Sequence, residues 1–173
     1  MPPLSSVALA GLASGLLVAT VTDLRTRRIP NTLTATMAVM GLGFATAGVS
    51  GISPGAAVGG LVLGLLLMLP GYALGATGAG DVKLMAAVGA IVGPAMVVMA
   101  YLFTGVAGGV LAVAIAIRRR RLGATIQGTT RLLAAPSGAR NEIQATTVAS
   151  RFAYGPAIAI GSLLAALLLS ARG

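Results

Sequence analysis

Long uncharged stretches separated by short clusters of arginine run through the chain, and this pattern predicts its elements. Leu4 to Thr22 carries no charge and is rich in Leu, Val, Ala and Gly. Asp23 follows, then Arg25, Arg27 and Arg28. Pro30 prevents a regular helix from continuing, so a short turn is expected before the next span. Leu33 to about Val49 forms the second span, with small residues that permit close helix packing, and Ser50 to Gly55 forms a charge-free turn. The third runs from about Ala56 to Leu74, where Pro70-Gly71 predicts a kink or an early end. Gly75 to Gly80 reads as a flexible approach to Asp81. Val82 to Ile117 has no charge except Lys83, enough length for two passes. The turn between them falls near Gly93-Pro94 or a few residues later. A turn at Gly93 leaves the fourth span short, starting below the membrane surface with Asp81 at some depth. Arg118 to Arg121 stop the fifth span. The segment 118–151 holds too few apolar residues for a core of its own (Leu132, Leu133 and Ile143), so it is a basic loop partly lying on lipid. The last span follows Tyr154-Gly155-Pro156 and runs to about Ala171.

Composition turns these stretches into a class. Over half the residues are apolar (57%) and only 9% are charged, which excludes an ordinary soluble domain. The chain is all-α, a polytopic membrane protein of about six transmembrane helices, with residues 1–173 forming one membrane domain. The first stretch has the length of a signal peptide, but its arginines follow it instead of preceding it, so it reads as a span with its N-terminus outside. Three basic residues fall in the first inner loop, Lys83 stands beside Asp81, and seven lie between Arg118 and Arg151. Only Arg172 falls on the other side. This bias puts both aspartates on the cytoplasmic side of the cell membrane and both termini outside. The net charge of +9 is thus assigned to topology and to anionic lipid headgroups, with no nucleic-acid partner expected.

Candidate chemistry is confined to few residues. Asp23 and Asp81 are the only aspartates, Glu142 is the only glutamate, and histidine and cysteine are absent. Ionisable groups at or within a membrane are costly and usually mark function. Two carboxylates held close in a low-dielectric site cannot readily both ionise, so they share a proton as acid and base. Such a pair activates water against a peptide carbonyl without metal, thiol or histidine. Gly78 and Gly80 would give the backbone beside Asp81 unusual conformations and let a substrate strand approach closely. The plainer reading pairs Asp23 with Arg25 or Arg27 at the lipid interface and Asp81 with Lys83. A magnesium ion held through waters would have no further carboxylate than Glu142, so no metal and no cofactor is expected.

Gly78-Ala79-Gly80-Asp81-Val82-Lys83-Leu84 resembles the GxGD signature of the type IV prepilin peptidases, which are membrane aspartic proteases. Asp23-Leu24-Arg25-Thr26-Arg27-Arg28-Ile29-Pro30-Asn31 is similar to their other motif, an aspartate followed by basic residues and Ile-Pro-Asn. Tyr154-Gly155-Pro156 resembles their closing segment. The resemblance implies that Asp23 and Asp81 are catalytic, cutting the leader of prepilin or pseudopilin substrates at the cytoplasmic membrane face. It implies that Gly78 and Gly80 shape the site, that Lys83 tunes the charge of Asp81, and that Pro30 and Asn31 fix the turn after Asp23. Longer family members carry a zinc-binding domain with paired cysteines and also methylate the new N-terminus. This chain starts with a span and has no cysteine, so the expectation is a peptidase without methyltransferase activity, similar to the short enzymes of Tad/Flp pili and their secretion systems.

Other readings use the same residues differently. A small transporter or proton-relay subunit would use Asp23 and Asp81 as relay carboxylates; inverted repeats would favour it, and the two halves show no convincing similarity. A non-catalytic assembly subunit would keep the motifs as structure. Membrane proteases of the presenilin type pair Tyr-Asp with GxGD and close on Pro-Ala-Leu, whereas Thr22 precedes Asp23 here and Tyr-Gly-Pro-Ala-Ile stands at the close.

Overall fold

The computed structural model describes residues 4–118 and 154–170. Beyond its first residue, the predicted basic loop lies outside the described residues, as does Arg172. Six helices form among those described: α1 Ser6–Thr26, α2 Asn31–Thr46, α3 Pro54–Ala73, α4 Ala79–Val92, α5 Pro94–Arg118 and α6 Gly155–Ser170. The local sequence accounts for their ends. The Ser5 hydroxyl accepts from Ala8 N at 3.2 Å. Ser53 does the same for Ala56 N at 3.1 Å, with Pro54 at the first helical position of α3. α3 passes through Pro70 and stops three residues later, near the predicted break.

α4 organises the bundle. It packs against each of the other five helices, and Leu84 to Val92 are all buried. A helix apolar all round belongs in an interior. Glycines make the packing close. Gly60 and Gly64 of α3, one turn apart, set their backbone directly on Gly89 and Met85 of α4, the small-residue spacing that lets membrane helices approach. A methyl group on Gly41 of α2 would lie 2.8 Å from the Ala90 carbonyl carbon. Gly161 of α6 rests on Thr104 of α5 in the same manner.

Among the described residues, three helices are long and apolar enough to cross a membrane: Ser6–Thr26, Pro54–Ala73 and a 21-residue stretch of α5, Pro94–Ala114. Large side chains on the outer faces, among them Leu17, Val39 and Val106, are exposed, as suits hydrocarbon. The turn between α4 and α5 falls at Gly93, whose φ of 82° and ψ of 175° lie where only glycine is comfortable. Of the two positions left open for this turn, the earlier is the observed one. α4 is consequently short, 14 residues or about 21 Å.

Candidate active site

Asp23 opens the last turn of α1. The helix continues to Thr26 and ends at Arg27, which adopts a left-handed conformation (φ 52°) and donates its N–H to the Asp23 carbonyl at 2.8 Å. This closure fixes the backbone of Asp23 ahead of the turn through Ile29 and Pro30. The carboxylate turns inward: Asp23 is only 5% exposed, although its neighbours Leu24 to Arg28 all face outward. Its Oδ2 accepts the backbone N–H of Gly155, at the start of α6, at 2.8 Å.

Asp81 is the third residue of α4 and is 8% exposed. Its Oδ2 accepts from Gly78 N at 2.9 Å, so the side chain satisfies a donor just ahead of its own helix, which also favours negative charge there. The two carboxylates lie close enough for the Asp23 charge to act on Asp81. The Arg27 guanidinium acts on Asp23.

Two contacts join the segments that carry the aspartates. Gly80 lies against Ile29, where a β-carbon on residue 80 would come within 3.1 Å of Ile29 Cβ. Lys83 donates to Asn31 Oδ1 at 2.9 Å on the exposed rim. Pro30 caps the start of α2, beside this tie.

The glycines next to Asp81 differ from the sequence expectation in one respect. Gly78 has φ of −84°, and Gly80 is inside the first turn of α4, not in a flexible approach. Neither has a positive φ, so unusual backbone conformation is not what they supply. They supply room: Gly80 for Ile29, and Gly78 for the Asp81 carboxylate, which a β-carbon would approach to 3.2 Å. In that approach it is Gly75, with φ of 75°, that takes the left-handed conformation.

The closing segment Tyr154-Gly155-Pro156, whose individual residues the sequence gives no role, sits at the same place. Gly155 is buried against Asp23. The Tyr154 hydroxyl lies against Gly108 of α5. Burial pushes the Tyr154 phenol up, and Tyr101 and Asp81 act in the same direction, so it is a neutral hydroxyl. The usable signal was position: Tyr-Gly-Pro directly precedes an apolar run, where a helix N-terminus offers unpaired N–H groups.

Chemically, the arrangement holds two buried carboxyl groups within electrostatic reach of each other, each accepting a backbone N–H. Two acids so placed favour one staying protonated while the other is ionised. A model of the type IV leader peptidase family matches residues 10–113, which include both aspartates. No curated protein and no solved structure matches the chain.

Proposed function

The chain belongs to the type IV leader peptidase family, and we propose that it is an aspartic endopeptidase using Asp23 and Asp81 as its catalytic pair. Membership itself carries the coarser statement: a protease of the prepilin-leader kind, acting on prepilin substrates, in a chain with apolar helices suited to a membrane. The observation that supports the finer reading is the approach of the segment bearing Asp81 to the one bearing Asp23, through Gly80 on Ile29. That contact lies between segments that each carry a buried acid, and burying a carboxyl group is costly in a bundle with no use for it.

In the proposed mechanism one carboxyl group keeps the shared proton and the other, ionised, takes a proton from a water molecule. The water oxygen bonds to the scissile carbonyl carbon as the kept proton passes to the carbonyl oxygen. The C–N bond then breaks, the nitrogen taking the proton gained from water and leaving as the amine, while one gem-diol hydroxyl returns its proton to the carboxylate that had given one up; the acyl half leaves as a carboxylic acid and the pair again holds one proton. Lys83 and Asn31 brace the two segments, with Pro30 starting α2, while Gly78 and Gly80 admit the carboxylate and Ile29.

The proposal includes one membrane domain with six crossings, both termini outside and the site on the cytoplasmic side. The placement of basic residues supports it, as does the length of α4, which at about 21 Å falls short of a hydrocarbon core of about 30 Å and so suits a site below the surface. The exposed Arg25, Arg27 and Arg28 at this end suit anionic headgroups. The substrates proposed are Flp/Tad-type prepilins, processed without methyl transfer.

Co-expression with a Flp-type prepilin, followed by gel mobility, tests this reading. Wild type is expected to shorten the substrate, and Asp23→Asn and Asp81→Asn to leave it intact at equal membrane levels. Processing by either well-expressed variant removes that aspartate from catalysis.

A further inference from the structure

We infer that Gly155 is a positioning residue of the active site: its backbone N–H, at the start of α6, holds the Asp23 carboxylate in working orientation. This rests on the aspartic reading above and extends it beyond the residues 10–113 that define the family match. The hydrogen bond spans 132 positions of sequence, and it is the buried side-chain contact that joins α6 to the Asp23 carboxylate.

Three observations carry the assignment. The first is chemical. The N–H groups of a helix's first turn have no partner within the helix, and a bond from such a donor to a carboxylate is charge-assisted and short. Asp23 therefore caps α6 from another helix, and α6 in turn selects one orientation of Asp23. The second is steric. A β-carbon at residue 155 would lie 2.8 Å from Asp23 Oδ2 and 3.0 Å from Asp23 Cβ, so any other residue pushes the carboxylate aside. The third is fixation. α6 cannot shift to make room, because Gly161 sits on the Thr104 backbone and Ala157, Ile158 and Ala159 are buried. The Asp23 backbone is equally fixed through Arg27 N. Asp81 needs no such partner, since it takes its N–H from Gly78, next to its own helix. One catalytic carboxylate is thus oriented locally and the other by the far end of the chain.

The test uses full-length protein in nanodiscs with a prepilin substrate, reading kcat and KM per folded molecule, with folding followed by circular dichroism melting. Gly155→Ala is expected to lower kcat about a hundredfold, as a misplacement near 1 Å does, with KM within about threefold of wild type. If that variant does not fold, glycolic acid introduced at position 155 by in vitro translation removes the N–H and adds no volume. It is expected to lower kcat at least tenfold. A smaller fall in a folded variant overturns the inference. Asp23→Asn in the same assay separates the two claims: if it cleaves, the aspartic reading itself fails, whereas an inactive Asp23→Asn beside a fully active ester variant refutes only the role of Gly155.

Discussion

Gly80→Ala probes the distance between the two aspartate-bearing segments. The added β-carbon would stand 3.1 Å from Ile29 Cβ, against an optimum of about 3.5–4.0 Å for carbon pairs. The segments must separate by about 0.4–0.9 Å. Ile29 cannot relieve this by changing rotamer, because its nearest atom is the β-carbon, which moves only with the backbone. A displacement of about 1 Å at reacting groups can cost a hundredfold, so a fall in kcat of about tenfold is expected, equal to about 1.4 kcal/mol of barrier. Stability should change little, since alanine regains up to about 1 kcal/mol of helix propensity over glycine at this first-turn position, offsetting the crowding. Gly80→Val, with two further methyl groups, should reach about a hundredfold. Steady-state cleavage of a purified prepilin, normalised to folded protein, measures both. Ile29→Ala should not rescue Gly80→Ala, because the obstructing atom remains. Wild-type kcat in folded Gly80→Val, or full rescue by Ile29→Ala, would refute the reasoning.

Further consequences concern the frame. Gly89→Ala puts a methyl group against the Gly60 backbone and is expected to destabilise the bundle by about 1–3 kcal/mol, seen as a lower melting midpoint by circular dichroism. Gly93→Ala should cost a similar amount, about 1–3 kcal/mol, through backbone strain instead of contact; an unchanged midpoint would contradict that origin. The Lys83–Asn31 tie is solvent-exposed, so either alanine substitution should cost under about 1 kcal/mol. A double-mutant melting cycle should find a coupling of similar size.

The candidate acids stood out in the sequence because acidic residues are so scarce. With two aspartates and one glutamate, candidate positions reduce to their neighbourhoods, and arginine clusters divide the helices. Partnership was the illegible part. Nothing local in Gly155 says that its N–H meets Asp23, because that bond depends on how α1 and α6 dock. The glycines show the same limit. Gly41, Gly60 and Gly89 touch neighbouring backbones whereas Gly43, Gly59 and Gly109 face open space, yet all read alike in an apolar run. Gly78 and Gly80 read as giving unusual conformations and close approach of a substrate strand; neither has a positive φ, and the neighbours they admit are the Asp81 carboxylate and Ile29. The α4–α5 boundary stayed open in sequence since uninterrupted apolar length permits several turns, and the conformation of Gly93 selects one.

The account stands on the Asp23 and Asp81 segments meeting in one site. The absence of cysteine from the sequence makes this directly measurable with Ile29→Cys/Gly80→Cys in native membranes. A β-carbon on residue 80 would lie 3.1 Å from Ile29 Cβ, a little inside the roughly 3.5–4.5 Å of a disulfide. Mild oxidation should link the pair, read as a fragment that stays joined after cleavage between α2 and α3 at an inserted protease site, and reductant should release it. Gly43→Cys/Gly59→Cys, both facing open space, should stay unlinked. Failure of the first pair to link in folded protein would mean that the two aspartates do not share a site.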